Sequence, residues 1–223
     1  MVKSKKESTE KSQKGNQEDK SRPGMIAGME LEEFLGEDSK YRLKIEKTIE
    51  ELGNSFSLLL AASPSELGKA KTAVVKRFAK DKGFILYITF NQSATKIMGE
   101  LSAKGIGEGK IFFIDMISKD KGYEIARQDN INDFDSPTQL TDLLLETEEK
   151  LSSQEKPSLI LLDSVSTLLV YNEKETVQKF LHSLIAKAHR ADSRIILLAS
   201  NDSATSDAIS TIGQFCDRIY SLE

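Results

Sequence analysis

The chain has 223 residues, of which 39% are apolar, which is enough to bury one substantial core in a single domain. No apolar run approaches the roughly 20 residues that span a bilayer, and the lysine-rich beginning lacks the hydrophobic region of a secretory signal. The single cysteine, Cys216, excludes an internal disulfide and fits a reducing compartment. We therefore predict a cytoplasmic protein with no membrane attachment.

Charge is distributed unevenly along the chain, whose formal net charge is −4. Residues 1–24 hold seven lysines and arginines against four acids, a net of +3, which leaves about −7 on the remainder. This composition cannot support a core, so we predict a disordered lysine-rich tail over residues 1–24 and a poorly defined linker over residues 25–39. A basic arm could also contact nucleic acid or an acidic partner. Because the body is acidic, it lacks the broad positive face of a DNA-binding domain, and nucleic-acid binding is not expected.

From residue 40 onward, predicted strands and helices alternate. Apolar residues along Tyr41–Leu52 predict a first helix, which Gly53 and Asn54 end. Most of the strands that follow are continuous apolar runs, as expected for parallel strands covered on both faces. The predicted strands are Phe56–Ala61, Phe84–Phe90, Lys110–Ile114, Leu159–Leu162, Arg194–Ala199 and Arg218–Leu222. The segments between them carry helical apolar spacing, most clearly from Val177 to Ala188.

This alternation predicts a doubly wound α/β domain over residues 40–223, with a mostly parallel sheet flanked by helices. In such sheets, ligands bind beyond the carboxyl ends of the strands. The segment Ser63–Ala70 follows the first predicted strand, and Asp163 ends the fourth. Both are therefore candidates for a ligand site. The segment Ser118–Ser136 shows no pattern that predicts a regular element.

The segment Ser63–Ala70 reads Ser-Pro-Ser-Glu-Leu-Gly-Lys-Ala. A phosphate-binding P-loop has a glycine, four residues, Gly-Lys, and then serine or threonine. Gly68 and Lys69 fit this pattern, whereas Ser63 replaces the first glycine and Ala70 replaces the hydroxyl residue. The segment therefore resembles a degenerate Walker A motif.

Two further features of this segment bear on its chemistry. A shifted register from Ser65 to Thr72 would supply a hydroxyl, but it would place Ala70 at the second glycine and Lys71 at the lysine. We therefore favour the unshifted register. In that register Glu66 would face the phosphates, unless its side chain points away.

Other segments extend the resemblance. Pro157–Leu168 is an apolar strand that continues into Asp163-Ser164, and Gln214–Glu223 has the character of a closing strand. Together with the helical Phe180–Ala188 and the degenerate loop, their order and spacing resemble the RecA-type ATPases, particularly the KaiC-like branch. The resemblance covers about residues 40–223 and implies a RecA-like P-loop NTPase fold. The loss of these motif residues is similar to that in small archaeal members of the KaiC-like branch, which are implicated in signal transduction.

The resemblance also implies a role for each motif position. In active members, loop N–H groups wrap the phosphates, the lysine bonds the terminal phosphates, and the hydroxyl and the Walker B aspartate hold Mg²⁺. Gly68, Lys69 and Asp163 are thus the candidate, vestigial cofactor-binding residues. Ala70 cannot bind a metal, and Asn91 stands where the family usually has a catalytic glutamate. Because of these departures, we predict no catalytic residue and no metal ligand. No cofactor is expected, and ATP with Mg²⁺ could bind only weakly.

Three hypotheses follow. The one we favour is a non-catalytic pseudo-ATPase that acts as a regulatory or scaffolding module in signal transduction, through a protein partner or as a homo-oligomer. The alternative is a weak ATP-binding switch or slow ATPase of the same family. A third, recombinase-like DNA binding, rests on family kinship and the basic tail.

Overall fold

The structure is a computed structural model that describes residues 37–123, 128–202 and 206–222. The predicted tail (residues 1–24) and most of the predicted linker (residues 25–39) lie outside the described residues. The described residues all belong to one compact unit, Gly36–Glu223.

Seven strands in the described part of the chain form one sheet in the order β4-β3-β2-β5-β6-β1-β7. Every neighbouring pair is parallel. The strands are β1 (Ser57–Ala62), β2 (Phe84–Thr89), β3 (Ile111–Asp115), β4 (Ile131–Asp133), β5 (Pro157–Asp163), β6 (Ile195–Ser200) and β7 (Arg218–Ser221). This confirms the predicted doubly wound α/β fold.

Helices connect the strands and cover both faces of the sheet. They are α1 (Glu37–Glu50), α2 (Pro64–Phe78), α3 (Ala94–Ser102), α4 (Ser118–Lys121), α5 (Leu140–Ser152), α6 (Val165–Tyr171), α7 (Lys174–Arg190) and α8 (Ser206–Gly213), with a 3₁₀ turn at Glu108–Lys110. Among the described residues, no helix has the length and apolar character required to cross a membrane.

Side chains of the central strands alternate between two cores. On β1, Leu58 and Leu60 pack against the core that α1, α2 and α3 cover, whereas Leu59 packs against the core beneath α5 to α8. All three leucines are fully buried. Burying a leucine side chain contributes about 1.5–3 kcal/mol, so a strand buried on both faces must be apolar throughout. This is why continuous apolar runs identified the strands.

The six predicted strands are confirmed to within about two residues at either end. The seventh, β4, lies within Ser118–Ser136, the segment without a prediction. It is a short edge strand that pairs with β3, and Asn130 beside it donates a side-chain hydrogen bond to the carbonyl of Ile111 at 3.0 Å. The first helix begins at Glu37, four residues before the predicted start at Tyr41.

Candidate ligand-binding cleft

A cleft of about 600 Å³ lies beyond the carboxyl ends of β1, β2 and β5. Its position is the one expected for a ligand site in an open parallel sheet, and its volume is within the range of small-molecule sites. The lining residues are Ser39, Arg42, Pro64, Ser65, Leu67, Gly68, Lys69, Lys71, Thr72, Ala73, Lys76, Asn91, Gln92, Glu100, Lys104 and Asp163. The structure thus brings together Gly68, Lys69, Asp163 and Asn91, which the sequence singled out.

A single residue, Ser63, connects β1 to α2. The hydroxyl of Ser63 donates to the Glu66 carboxylate at 2.6 Å, and its backbone N–H donates to the same oxygen at 3.3 Å. Pro64 occupies the first helical position, where its missing N–H costs nothing. Residues that would wrap a phosphate in a P-loop therefore form the first turns of α2 instead. Gly68 and Lys69 lie within that helix.

Glu66 is held at the start of α2 and does not line the cleft. Its carboxylate accepts hydrogen bonds from the Ser63 hydroxyl and from the Tyr41 hydroxyl of α1. The Ser63 hydrogen bond, followed by that of Tyr41, lowers the pKa of Glu66 below its usual value. The carboxylate thus stabilises the helix start rather than facing a ligand.

Asp163, at the end of β5, is only 4% exposed. Its Oδ2 accepts a hydrogen bond from the Tyr87 hydroxyl at 2.6 Å and one from Lys71 Nζ at 3.3 Å. Burial, followed by the negative charge of Asp163, raises the pKa of Tyr87 well above its usual value. Tyr87 therefore remains protonated and serves as a donor. The peptide bond between Asp163 and Ser164 is cis.

The Mg²⁺ site that the resemblance implies does not fit these residues. The ammonium of Lys71 forms an ion pair with the carboxylate of Asp163, which would have to hold the metal. Ala70 is fully buried and has a methyl group in place of a hydroxyl. Asn91, after β2, offers an amide rather than a carboxylate. Among the residues that the structure describes, no group of three or more histidines, cysteines and acids could hold a metal ion.

The lining of the cleft is predominantly basic. Five lysines and arginines line it against two acids. The basic residues are Arg42, Lys69, Lys71, Lys76 and Lys104, and the acids are Glu100 and Asp163. Lys69, Thr72 and Lys76 are spaced i, i+3 and i+7 on α2, which places them on one helix face.

Two contacts hold this basic surface in place. The Lys104 ammonium donates to the Thr72 hydroxyl at 2.9 Å, which joins α2 to the segment after α3. The ammonium of Lys69 lies 5.2 Å from the centre of the Tyr41 ring. The sequence pattern favoured Lys69 among these bases and indicated Lys71 only in the shifted register. The spacing of Lys69, Thr72 and Lys76 was the available signal for the others on α2, whereas nothing local pointed to Lys104.

The chain matches the family model of DUF7090, described as a family of unknown function, over residues 39–223. The chain belongs to this DUF7090 family. A comparison with curated proteins gave no match. The DUF7090 match begins within α1 and covers the whole sheet, so the cleft lies inside the family's shared region.

Two solved structures relate the DUF7090 fold to known architectures. The uncharacterized protein PH0321 from Pyrococcus horikoshii, crystallised with an unknown peptide, has a TM-score of 0.61 and 12% identity over 81% of this chain and 82% of that one. The KaiC-like protein PH0186 from Pyrococcus horikoshii OT3 has a TM-score of 0.54 and 13% identity over 75% of this chain and 70% of that one. At these identities the likeness establishes the fold, which is RecA-like.

Proposed function

We propose that this DUF7090 chain is a non-catalytic domain of RecA/KaiC-like fold that acts as a regulatory or scaffolding module. The observation that carries the proposal is the Lys71–Asp163 ion pair, which is 3.3 Å long, largely buried and part of the cleft lining. It sets a fixed ammonium group at the carboxylate that would otherwise hold Mg²⁺.

The physical cost of restoring a catalytic arrangement is large. Phosphoryl transfer relies almost entirely on positioning and on charge neutralisation by the metal. With Lys71 in place, charges of +2 and +1 about 4 Å apart would repel by about 8 kcal/mol at an effective dielectric near 20. Moving Lys71 away instead removes the ammonium partner of a buried carboxylate. Asn91 adds no base that could activate a water molecule.

The regulatory part of the proposal rests on exposed apolar side chains that a protein partner or a second copy of the chain could cover. Val170, at the end of α6, is 76% exposed, and Leu145, Tyr123 and Ile219 are also exposed apolar side chains. The unknown peptide that accompanies PH0321 supports a protein-binding use of the fold. The proposal includes a place in signal transduction, which the resemblance to small archaeal KaiC-like proteins suggests.

Measured release of phosphate from ATP with Mg²⁺ tests the non-catalytic claim. The full chain is compared with the double variant Lys69→Ala/Asp163→Asn, after circular dichroism has shown that both are folded. We expect the two rates to be equal, because no catalytic arrangement exists to be removed. A rate for the natural chain that clearly exceeds that of the variant would refute the proposal.

A further inference from the structure

We propose that the cleft binds a compact polyphosphorylated anion without a divalent cation, and that Lys71 supplies the positive charge at Asp163 in place of the metal. The inference rests on the proposed function, because an active ATPase of this fold would take its phosphates together with Mg²⁺. It adds to that function a class of ligand, and it states that the ligand binds without a metal ion.

Positive charge converges on the cleft from three parts of the chain. Arg42 comes from α1, Lys69 and Lys76 come from α2, and Lys104 follows α3. Arg42 lies 3.7 Å from the carboxylate of Glu46, which does not line the cleft, and Lys104 donates to Thr72. These contacts hold both cations around one concavity, although like charges repel. An anion with several charges relieves that repulsion, and each charge-assisted hydrogen bond contributes about 1.5–3 kcal/mol.

The carboxylate of Asp163 does not oppose the binding of an anion. Its charge is already balanced by Lys71 at 3.3 Å, and its Oδ2 also accepts from Tyr87. Asp163 therefore neither requires a metal nor repels an anion as an isolated carboxylate would. Glu100, which is exposed, is the other acid in the lining, so the net charge presented to a ligand is positive.

The side chain of Gln92 also favours a ligand in the cleft. Among the described residues, Gln92 Oε1 is a buried side-chain oxygen without a hydrogen-bond partner, and Gln92 lines the cleft. That oxygen is itself shielded from solvent, so the Gln92 side chain must change its rotamer and turn its NH₂ group into the cleft before it can donate to a phosphate oxygen. An unpaired buried polar group is costly, and such a change of rotamer on ligand binding removes that cost.

The lining also indicates which part of a ligand is recognised. Those lining residues that the structure describes include no aromatic side chain on which a nucleobase could stack. Charge, rather than a base, therefore dominates recognition. The site is expected to bind inorganic tripolyphosphate about as well as ATP.

Calorimetric titration of the full chain with tripolyphosphate in EDTA, and again in excess Mg²⁺, tests the proposal. We expect binding in EDTA and several-fold weaker binding in Mg²⁺, because the metal neutralises the ligand. Binding should also weaken as salt is raised. Absence of binding in EDTA, or binding that requires Mg²⁺, would overturn the proposal.

Matched variants locate the site. The double variant Lys76→Ala/Lys104→Ala should bind tripolyphosphate at least tenfold more weakly. The control Lys174→Ala/Lys179→Ala removes the same charge from exposed positions on α7, outside the cleft, and should bind as the natural chain does. Equal losses in the two double variants would show non-specific attraction and overturn the assignment to the cleft.

A parallel titration with ATP in EDTA separates the two sources of polyphosphate. Affinities for ATP and tripolyphosphate within threefold of each other support recognition of phosphate alone. A tenfold preference for ATP would overturn it in favour of nucleotide recognition. Failure of the proposed function would be visible separately, as ATP turnover, whereas failure of this inference leaves turnover absent and binding undetected.

Discussion

The chemical role of Asp163 depends on the side chains that contact it. Its position at the end of β5 made it a candidate from sequence, because an apolar strand followed by aspartate is easily recognised. Its partners were not recognisable, since Tyr87 is 76 positions away along the chain and Lys71 is 92 positions away. The sequence pattern pointed to Lys69, and only the rotation of α2 about its axis shows that Lys71 is the lysine that meets Asp163. The roles of Gly68, Lys69 and Asp163 in binding a cofactor stay predictions.

Removing the Tyr87 hydroxyl tests how much its hydrogen bond to Asp163 contributes to stability. The substitution Tyr87→Phe keeps the buried ring, which lies 5.2 Å from that of Phe113, and deletes a hydrogen bond to a charged, buried acceptor. We expect the free energy of unfolding to fall by about 1–3 kcal/mol. Urea titration measures it. Tyr220→Phe on the edge strand β7 is the control and should change stability by less than about 0.5 kcal/mol; equal effects would contradict this account.

The charge of Asp217 is expected to make the free energy of unfolding depend on pH. Partial burial raises the pKa of Asp217, but hydrogen bonds from the Ser57 N–H at 2.7 Å and hydroxyl at 2.9 Å, with His189 nearby, outweigh burial and lower the pKa overall. A lowered folded-state pKa stabilises the protein above the unfolded-state pKa of about 3.9, and that stability is lost as pH falls through the folded value.

We therefore expect Asp217→Asn to lower the free energy of unfolding by about 1 kcal/mol at pH 7, a modest value because the carboxylate is half exposed and screened by water. The difference from the natural chain should shrink below about pH 4. Urea titrations at pH 7 and pH 3 measure it. Asp129→Asn, at an exposed position, is the control. A difference that persists unchanged at pH 3 would show that the charge of Asp217 is not responsible.

At the scale of elements, the sequence at the start of α2 fits two different structural patterns. Ser63-Pro64-Ser65-Glu66 fits a degenerate phosphate loop, but it also fits a helix start, with serine before the helix, proline first and glutamate three residues on. In the structure the helix begins at Pro64, and Ser63 bonds Glu66. Counting spacings along the chain cannot separate the two patterns, because the four positions after the first glycine of a phosphate loop accept any residue and so also accept a capping box. The deciding information is the length of the connection to β1.

The edge strand β4 escaped prediction for a different reason. Ile131–Asp133 is three residues long and half buried, so no period can be read from it. Its pairing with β3 is fixed by neighbours, including the hydrogen bond from Phe113 N–H to the Asn130 carbonyl at 2.8 Å. Tertiary partners, rather than local pattern, determine such a strand.

In the turn between α2 and β2, the backbone lies close to the segment just before β5. Gly83 has φ of +88°, and a Cβ added there would lie 2.5 Å from the carbonyl oxygen of Lys156, just before β5. Gly53 has a similar φ of +81° but open space around it. We expect Gly53→Ala to cost about 1 kcal/mol through the positive φ alone. Gly83→Ala should cost about 2 kcal/mol more, because the backbone of Lys156 must shift.

Thermal or urea unfolding of the two alanine variants measures that difference. Equal losses of stability would mean that the close approach between Gly83 and Lys156 does not constrain the alignment of β2 with β5.

At the scale of the whole molecule, the sequence predicted the fold class and the location of the cleft but not its character. Strands buried on both faces leave a strong signal, and parallel strands place their carboxyl ends at one edge, so Asp163 and the start of α2 had to lie near each other. The basic lining depends on where Arg42 and Lys104 lie in space, and these residues are 62 positions apart in the numbering. Such convergence is a property of the folded chain alone.

The central claim is that Lys71, and not a metal ion, occupies the position beside Asp163. Anomalous diffraction from crystals of the full chain grown with ATP and Mn²⁺ tests it most directly, because manganese scatters anomalously and accepts the oxygen ligands that Mg²⁺ prefers. The account predicts no manganese peak at Asp163 and Lys71 Nζ within hydrogen-bonding distance of that carboxylate. A manganese ion coordinated by Asp163, with Lys71 displaced, would contradict it.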